Sequence, residues 1–566
     1  MFHTRTFFST PLIFLSATCG SAEYTWPNPV LDEIEHLTHV QDGPFGSGII
    51  GRITPCRTSQ SSLSNQPPAD WLRTAFHNVI SYDAATGAGG LDASLQWETD
   101  RAENRGGRSF NDTIEVMVKL HNTRATMADL LALAAYSAVG SCGGPKLAMK
   151  AGRIDATGPG PEGRVPKPSG PTPTMIQKFA NVGFNQQEMI QVAFYSHCSS
   201  PFVNLLLYHR WLLAVTVSRS VNPRASASKA LSPALGGVHQ EDFPELSPRK
   251  SFPEFDTTEN AFDNRVVTEY LDGTTKNPLV LAPGGNNSDF KVLNSDGNST
   301  IHAMSAPQSF TSRCQSILQR MIDTVPSSVQ LSSPLTPLVV KPHLIQLQLL
   351  SNGKIQLGGY IRVMVQGVGI PSVKLILKDR DGKPVLNPLE TRLDALGKGL
   401  EASFRFFKIA SNTLDSGISS FDISVTSITG VKTLYTNNGG GYPIQDKIIL
   451  QQPQSCLTRR VDNSGSKVLA LAAALKNDIL PATPQMDVVV RSSRPGTLVP
   501  QLSTISTQMK LWKNTTFGYT LYNSTFNLPT SSWSTTVGVW VQVPGGIKYE
   551  DASRSTDNFP GDCAAF

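Results

Sequence analysis

Trp71-Leu72-Arg73-Thr74-Ala75-Phe76-His77 is the stretch on which the reading of this chain turns. Its apolar residues recur at helical spacing as far as Tyr82, and Asp70 stands where a cap would, so a helix over 71–82 is expected. On such a helix Arg73 and His77 are four apart and project from one face, one turn from each other, with Phe76 beside them. An imidazole can take a proton from one oxygen of a peroxide and return it to the other. A guanidinium stabilises the negative charge that builds as the O–O bond breaks. Taken alone, Arg-x-x-x-His is unspecific, and a solvated arginine beside a partly buried histidine is its commoner meaning. The segments around it carry the decision.

Downstream lie Gly89-Gly90-Leu91-Asp92-Ala93-Ser94, then Glu98-Thr99-Asp100-Arg101-Ala102-Glu103-Asn104, the run Met127 to Ala135, and Gly143 to Asp155. In this order and spacing the segments resemble the plant, fungal and bacterial haem peroxidase superfamily, particularly its secreted, class II-like fungal branch, over roughly residues 50–300. The resemblance implies a mainly α domain with haem b as cofactor. It also implies hydrogen peroxide as oxidant and a small organic electron donor oxidised in one-electron steps. Arg73 and His77 match the acid–base pair on the distal side of the haem, and Phe76 the distal aromatic. Asn104 matches the asparagine that fixes the histidine tautomer, leaving the other ring nitrogen as the base; a turn residue before Gly106-Gly107 is its plainer reading.

Asn78, the carbonyl of Gly90, Asp92 and Ser94 match a distal calcium site. The family usually has aspartate where this chain has Asn78, and a lower ligand charge weakens or abolishes calcium binding. A second calcium site is unsupported, because Cys198 stands where its threonine is expected. Manganese-oxidising relatives place two glutamates where Gln66 and Asp70 stand, which points away from manganese.

The proximal side is broken. The ligand helix starts with Gln187-Glu188-Met189-Ile190-Gln191, and counting on without a gap puts His197 at the position that binds haem iron. Around it, Phe194-Tyr195-Ser196-His197-Cys198 replaces the expected pattern, which resumes at Leu235-Gly236-Gly237-Val238-His239. The intervening residues 198–234 hold Arg210, Arg219, Arg224 and Lys229 and no Asp or Glu, and Pro201 stops a helix. Two readings stand. Either the insert is genuine and His197 ligates iron from a shortened helix, or translated intron has altered the ligand segment, which the odd composition favours. His239 is a rival ligand, although an ordinary second histidine of the family occupies that place. Asp296, in Leu293-Asn294-Ser295-Asp296, matches the carboxylate that accepts a hydrogen bond from the proximal imidazole; a turn in Asn294 to Gly297 is its plainer reading.

Further out, 566 residues exceed one core, and two domains are expected. A net charge of +5 over this length is too dilute to imply nucleic acid or a membrane surface, and no stretch is apolar enough to span a bilayer. Arg5, the apolar run 7–17 and Gly20-Ser21-Ala22 form the pattern of a signal peptide over 1–22, so the chain is expected to be secreted. The six remaining cysteines favour disulfides of undetermined pairing, and five Asn-x-Ser/Thr sequons agree with export. The haem peroxidase domain is expected over 23–325. Prolines 326, 334, 337 and 342 mark a linker over 326–342. Short alternating runs at 344–349, 354–365, 421–425, 486–491 and 537–543 mark a β-rich, sandwich-like domain over 343–566, with a hairpin at Asn352-Gly353. The alternative to an enzyme is an impaired peroxidase fold acting as an extracellular binding or wall-associated module.

Overall fold

The computed structural model describes residues 24–566 apart from 55, 57–66, 105–108, 168, 197–254, 259–260, 284, 286, 366–368, 371, 416 and 493–500. The expected signal peptide and the 198–234 insert therefore lie outside the described residues, as do His197 and His239.

The first half is helical. Its central pair is the helix Pro67–Val79, which carries Arg73 and His77, and the helix Met127–Ser141 packed along it. The first begins at Pro67, whose fixed φ suits a helix start, so Asp70 lies inside the helix and is not the cap expected of it. Thr126 does cap the second helix, its hydroxyl accepting from the Asp129 amide at 3.1 Å. Both helices are buried nearly all round, and both sit in the middle of one core that includes Trp71, Leu72, Phe76, Leu130 and Leu133. Each such buried side chain contributes about 1.5–3 kcal/mol. Asp129 and Arg153 form a fully buried ion pair at 2.9 Å across this core. A disulfide joins Cys56 to Cys142.

The second half is all β, and it holds two cores where one sandwich was expected. Strands β1 (Val340–Leu349), β2 (Ile355–Met364), β3 (Ser372–Lys378), β4 (Leu389–Lys398), β5 (Ser403–Ile409), β6 (Ser420–Thr426), β7 (Lys432–Tyr435) and β8 (Tyr442–Pro443) form one antiparallel sheet. Its order is β1-β2-β5-β4-β3-β6-β7, with β8 paired to β6. The β1–β2 hairpin turns at Asn352-Gly353 with Gly353 at φ +82°, a conformation that suits glycine.

The remaining strands are β9 (Ile448–Leu450), β10 (Cys456–Leu457), β11 (Ser466–Lys476), β12 (Gln485–Ser492), β13 (Gln501–Gln508), β14 (Lys510–Asn514), β15 (Tyr519–Pro529), β16 (Thr536–Gln542) and β17 (Lys548–Ser555). They make a sandwich of a five-stranded sheet built on β11 and β15 and a four-stranded sheet built on β12 and β16. Alternate residues of these strands, among them Leu471, Val488 and Val539, meet in its core. Cys456 and Cys563 are disulfide-bonded.

The stretch expected as a linker is a strap. Amides of Ser327, Ser332 and Leu335 donate to the carbonyls of Gly87, Ala151 and Met149 at 2.7–2.9 Å, so it is laid onto the helical half. Then β1 starts at Val340, inside the expected linker. Prolines 326, 334 and 337 mark backbone that joins no sheet, which is a different matter from a free tether, whereas Pro342 lies in β1 opposite Ile361. The two halves also touch directly: Glu35 on the N-terminal helix Pro29–His39 pairs with Lys341 at 2.7 Å and with Arg362, all three buried. Tyr136 donates to Glu401 at 3.1 Å, and Arg124 pairs with Glu550 at 3.1 Å.

Candidate active site

Arg73, Phe76 and His77 sit on the innermost face of the helix Pro67–Val79, at 1%, 5% and 4% exposure. A buried guanidinium and imidazole require partners, and the structure supplies them. Nδ1 of His77 lies 2.9 Å from Oδ1 of Asn104, whose own Nδ2 donates to the Glu98 carbonyl at 3.0 Å. Because that second bond fixes which end of the amide is oxygen, Nδ1 must carry the proton and donate it. Nε2 is then the unprotonated, basic nitrogen. Burial, with the Arg73 charge adding to it, pushes the His77 pKa down to about 3 against the opposing hydrogen bond from Asn104. The imidazole is therefore neutral over the ordinary pH range.

Two residues that the sequence reading missed hold the arginine. Nη1 of Arg73 donates to the Ser109 hydroxyl at 2.6 Å, and its guanidinium lies over the Phe110 ring, 4.3 Å from the centroid. The same ring meets His77 edge-on at 4.7 Å. Ser109 and Phe110 open the helix Ser109–Val118. Phe76 meets the His77 ring edge-on at 5.8 Å and stacks on Phe179 at 6.0 Å.

The helix Gln186–Ser196 forms, and His197 lies outside the described residues. Its first residue, Gln186, donates to the Ser295 carbonyl at 2.8 Å, tying the helix to the turn that holds Asp296. In that turn Asp296 Oδ2 accepts from the amide and hydroxyl of Thr300 at 3.0 and 2.6 Å. Oδ1 is buried and finds no hydrogen-bond partner among the described residues. That oxygen is an acceptor awaiting a donor.

The four residues read as a calcium site do assemble. Asn78, Asp92 and Ser94 are buried beside one another, but the amide of Asn78 donates to the Asp92 carboxylate at 3.1 Å and to the Ser94 hydroxyl at 3.0 Å. The set as it stands does not fit a cation. Among the described residues no cluster of three or more His, Cys, Asp or Glu could hold a metal ion. No described helix is long and apolar enough to cross a membrane.

Comparison with known proteins agrees with this geometry. Residues 57–305 match the family model described as peroxidase. A WSC domain-containing protein of Arthroderma benhamiae is 32% identical over 558 residues, which cover 96% of this chain and 69% of that protein. Over shorter stretches, a putative L-ascorbate peroxidase 6 of Arabidopsis thaliana is 30% identical, covering 22% of this chain and 38% of its own length. A putative heme-binding peroxidase of Aspergillus fumigatus is 33% identical, covering 22% and 40%. Nearly the whole chain is thus shared with a fungal WSC domain-containing protein, to whose family it belongs, and its helical half carries a peroxidase domain.

Proposed function

We propose that the chain is a secreted haem peroxidase that reduces hydrogen peroxide and oxidises small organic donors one electron at a time. The observation that carries this is His77, buried and neutral, with Nδ1 engaged by Asn104 and Arg73 held one turn away. The residues fit a haem on two counts: a base of fixed tautomer beside a cation, and a buried Oδ1 of Asp296 without a hydrogen-bond partner among the described residues. A bound haem would supply the electrons that split the O–O bond. The chain's own residues move the proton and stabilise the charge. Nε2 of His77 accepts the proton of the inner peroxide oxygen and returns it to the outer one, so that water leaves in place of hydroxide. Arg73 stabilises the anionic charge on the departing oxygen, and its partners Ser109 and Phe110 keep it in place for this. Asp296 would accept the Nδ1 proton of the iron-binding histidine and strengthen it as a donor.

Absorbance of the purified full-length protein tests the reading. A Soret band and peroxide-dependent oxidation of a phenolic donor are expected; a protein that takes up no haem when supplied with hemin overturns it. The second reading, a non-catalytic extracellular module, draws on the two β cores fused to the helical half, and a haem-free but folded protein would favour it.

A further inference from the structure

The oxygens grouped behind His77 already accept hydrogen bonds from within the chain. Nδ2 of Asn78 bridges Asp92 Oδ1 and Ser94 Oγ. Asn78 Oδ1 accepts from the Ala93 amide at 2.7 Å. Asp92 Oδ1 also accepts from the Ser94 amide at 3.0 Å, and the Gly90 carbonyl accepts from the Asp92 amide at 2.9 Å. The backbone donor at Ala93 and the carboxylate at Asp92 leave the carboxamide one orientation: oxygen toward the amide, nitrogen toward the carboxylate. A cation in this space would meet the polarised N–H groups of Asn78 and would compete with bonds already made at Asn78 Oδ1, Asp92 Oδ1, Ser94 Oγ and the Gly90 carbonyl. Asp92 supplies the only formal charge among these four residues, and calcium affinity falls with ligand charge.

We infer that the Asn78 carboxamide takes the place of a bound cation in this chain and fixes the loop after the distal helix without metal. The fixed loop leads back to the site. Ser94 opens the helical turn Ser94–Trp97, the next residue is Glu98, and the Glu98 carbonyl holds Asn104, which holds His77. Asn78 is thus a positioning residue for the histidine that precedes it, acting through a closed circuit of hydrogen bonds. The inference about metal is independent of haem occupancy.

Calorimetric titration of the full chain with calcium chloride, and its Tm with and without EDTA, test it beside Asn78→Asp. The unaltered chain should bind no calcium and keep its Tm in EDTA. Asn78→Asp should gain calcium binding, lose Tm in EDTA and regain it with calcium. In haem-loaded protein, the acid limit of the peroxide reaction should move in Asn78→Ala, and return to its original position in Asn78→Asp with calcium. An unaltered chain whose Tm falls in EDTA and recovers with calcium overturns the inference. So does a pair in which neither protein responds to calcium. If Asn78→Asp does not fold, the chelation result on the unaltered chain decides.

Discussion

Nζ of Lys341, on the first strand of the β half, lies 2.7 Å from Oε2 of Glu35 on the N-terminal helix, and both side chains are buried. Burial alone would push the Glu35 carboxyl up, but the Arg362 and Lys341 cations outweigh it and hold it far below the usual carboxylate range. Removing Lys341 breaks a buried pair and leaves Glu35 with Arg362 but without its second cation, at a cost of up to about 3–5 kcal/mol. Lys341→Met should therefore lower the denaturant midpoint substantially. A chain ending near Ser333 keeps Arg73, His77, Asn104 and Asp296 but loses Lys341, Arg362 and Glu401, and should melt below the full-length protein. Equal melting temperatures would show that the halves are independent.

His77→Leu should slow the reaction with peroxide by at least the ~10²-fold typical of a positioned acid–base group, while haem uptake stays near normal. Stopped-flow absorbance reads the first and hemin titration the second. An unchanged rate removes His77 from the chemistry.

Because the folded His77 titrates near about 3, its Nε2 is free of a proton throughout the neutral range. The second-order rate with peroxide should stay flat from pH 8 to about pH 4.5 and fall only beyond it. A fall centred near pH 6.5 would mean that the imidazole is hydrated and its environment more open.

Acid should destabilise the fold in the same range. Burial lowers the pKa of His36 and His77 to about 3 and of His121 to about 4, and lowers that of His343 as well. Unfolded, each would accept a proton below about pH 6.5. The unfolded state thus binds more protons between roughly pH 6.5 and 4, and stability falls as pH drops through that window, by up to about 1.4 kcal/mol per pH unit per histidine. The stabilisation from Glu35, whose folded pKa is depressed, is retained until pH falls below about 4. Urea midpoints measured from pH 7 to 4 check the sign.

His197→Ala should abolish the Soret band, and His239→Ala should leave it. The reverse result would place the iron ligand in the resumed motif at Leu235 to His239, and loss in neither variant would remove both.

The acid–base face was legible because it is local arithmetic: Arg73 and His77 share a helix face whatever surrounds them. Asn104 came from motif order, and the tautomer it sets followed from the donor inventory. Ser109 and Phe110 were not legible, since their contacts with Arg73 cross from one helix to another and no periodicity encodes them. Asp70 stood where a cap would before the apolar periodicity, whereas the helix already runs from Pro67. In the β half each expected strand run falls on an observed strand, since alternation is a property of single strands. The division into two cores depends on which strands pair, and pairing is set by tertiary packing.

The bond between Cys456 and Cys563 has a mechanical meaning. A pull applied from beyond Cys563 reaches the fold at Cys456 through the sulfur atoms, and the 107-residue separation closed by the bond is bypassed. Strands β11 to β17 all lie inside that bypass, so none can be peeled from its sheet by tension at this end while the disulfide is intact. Force would act first on β10 and the short segment joining it to β9, and the sandwich would travel as a sealed parcel.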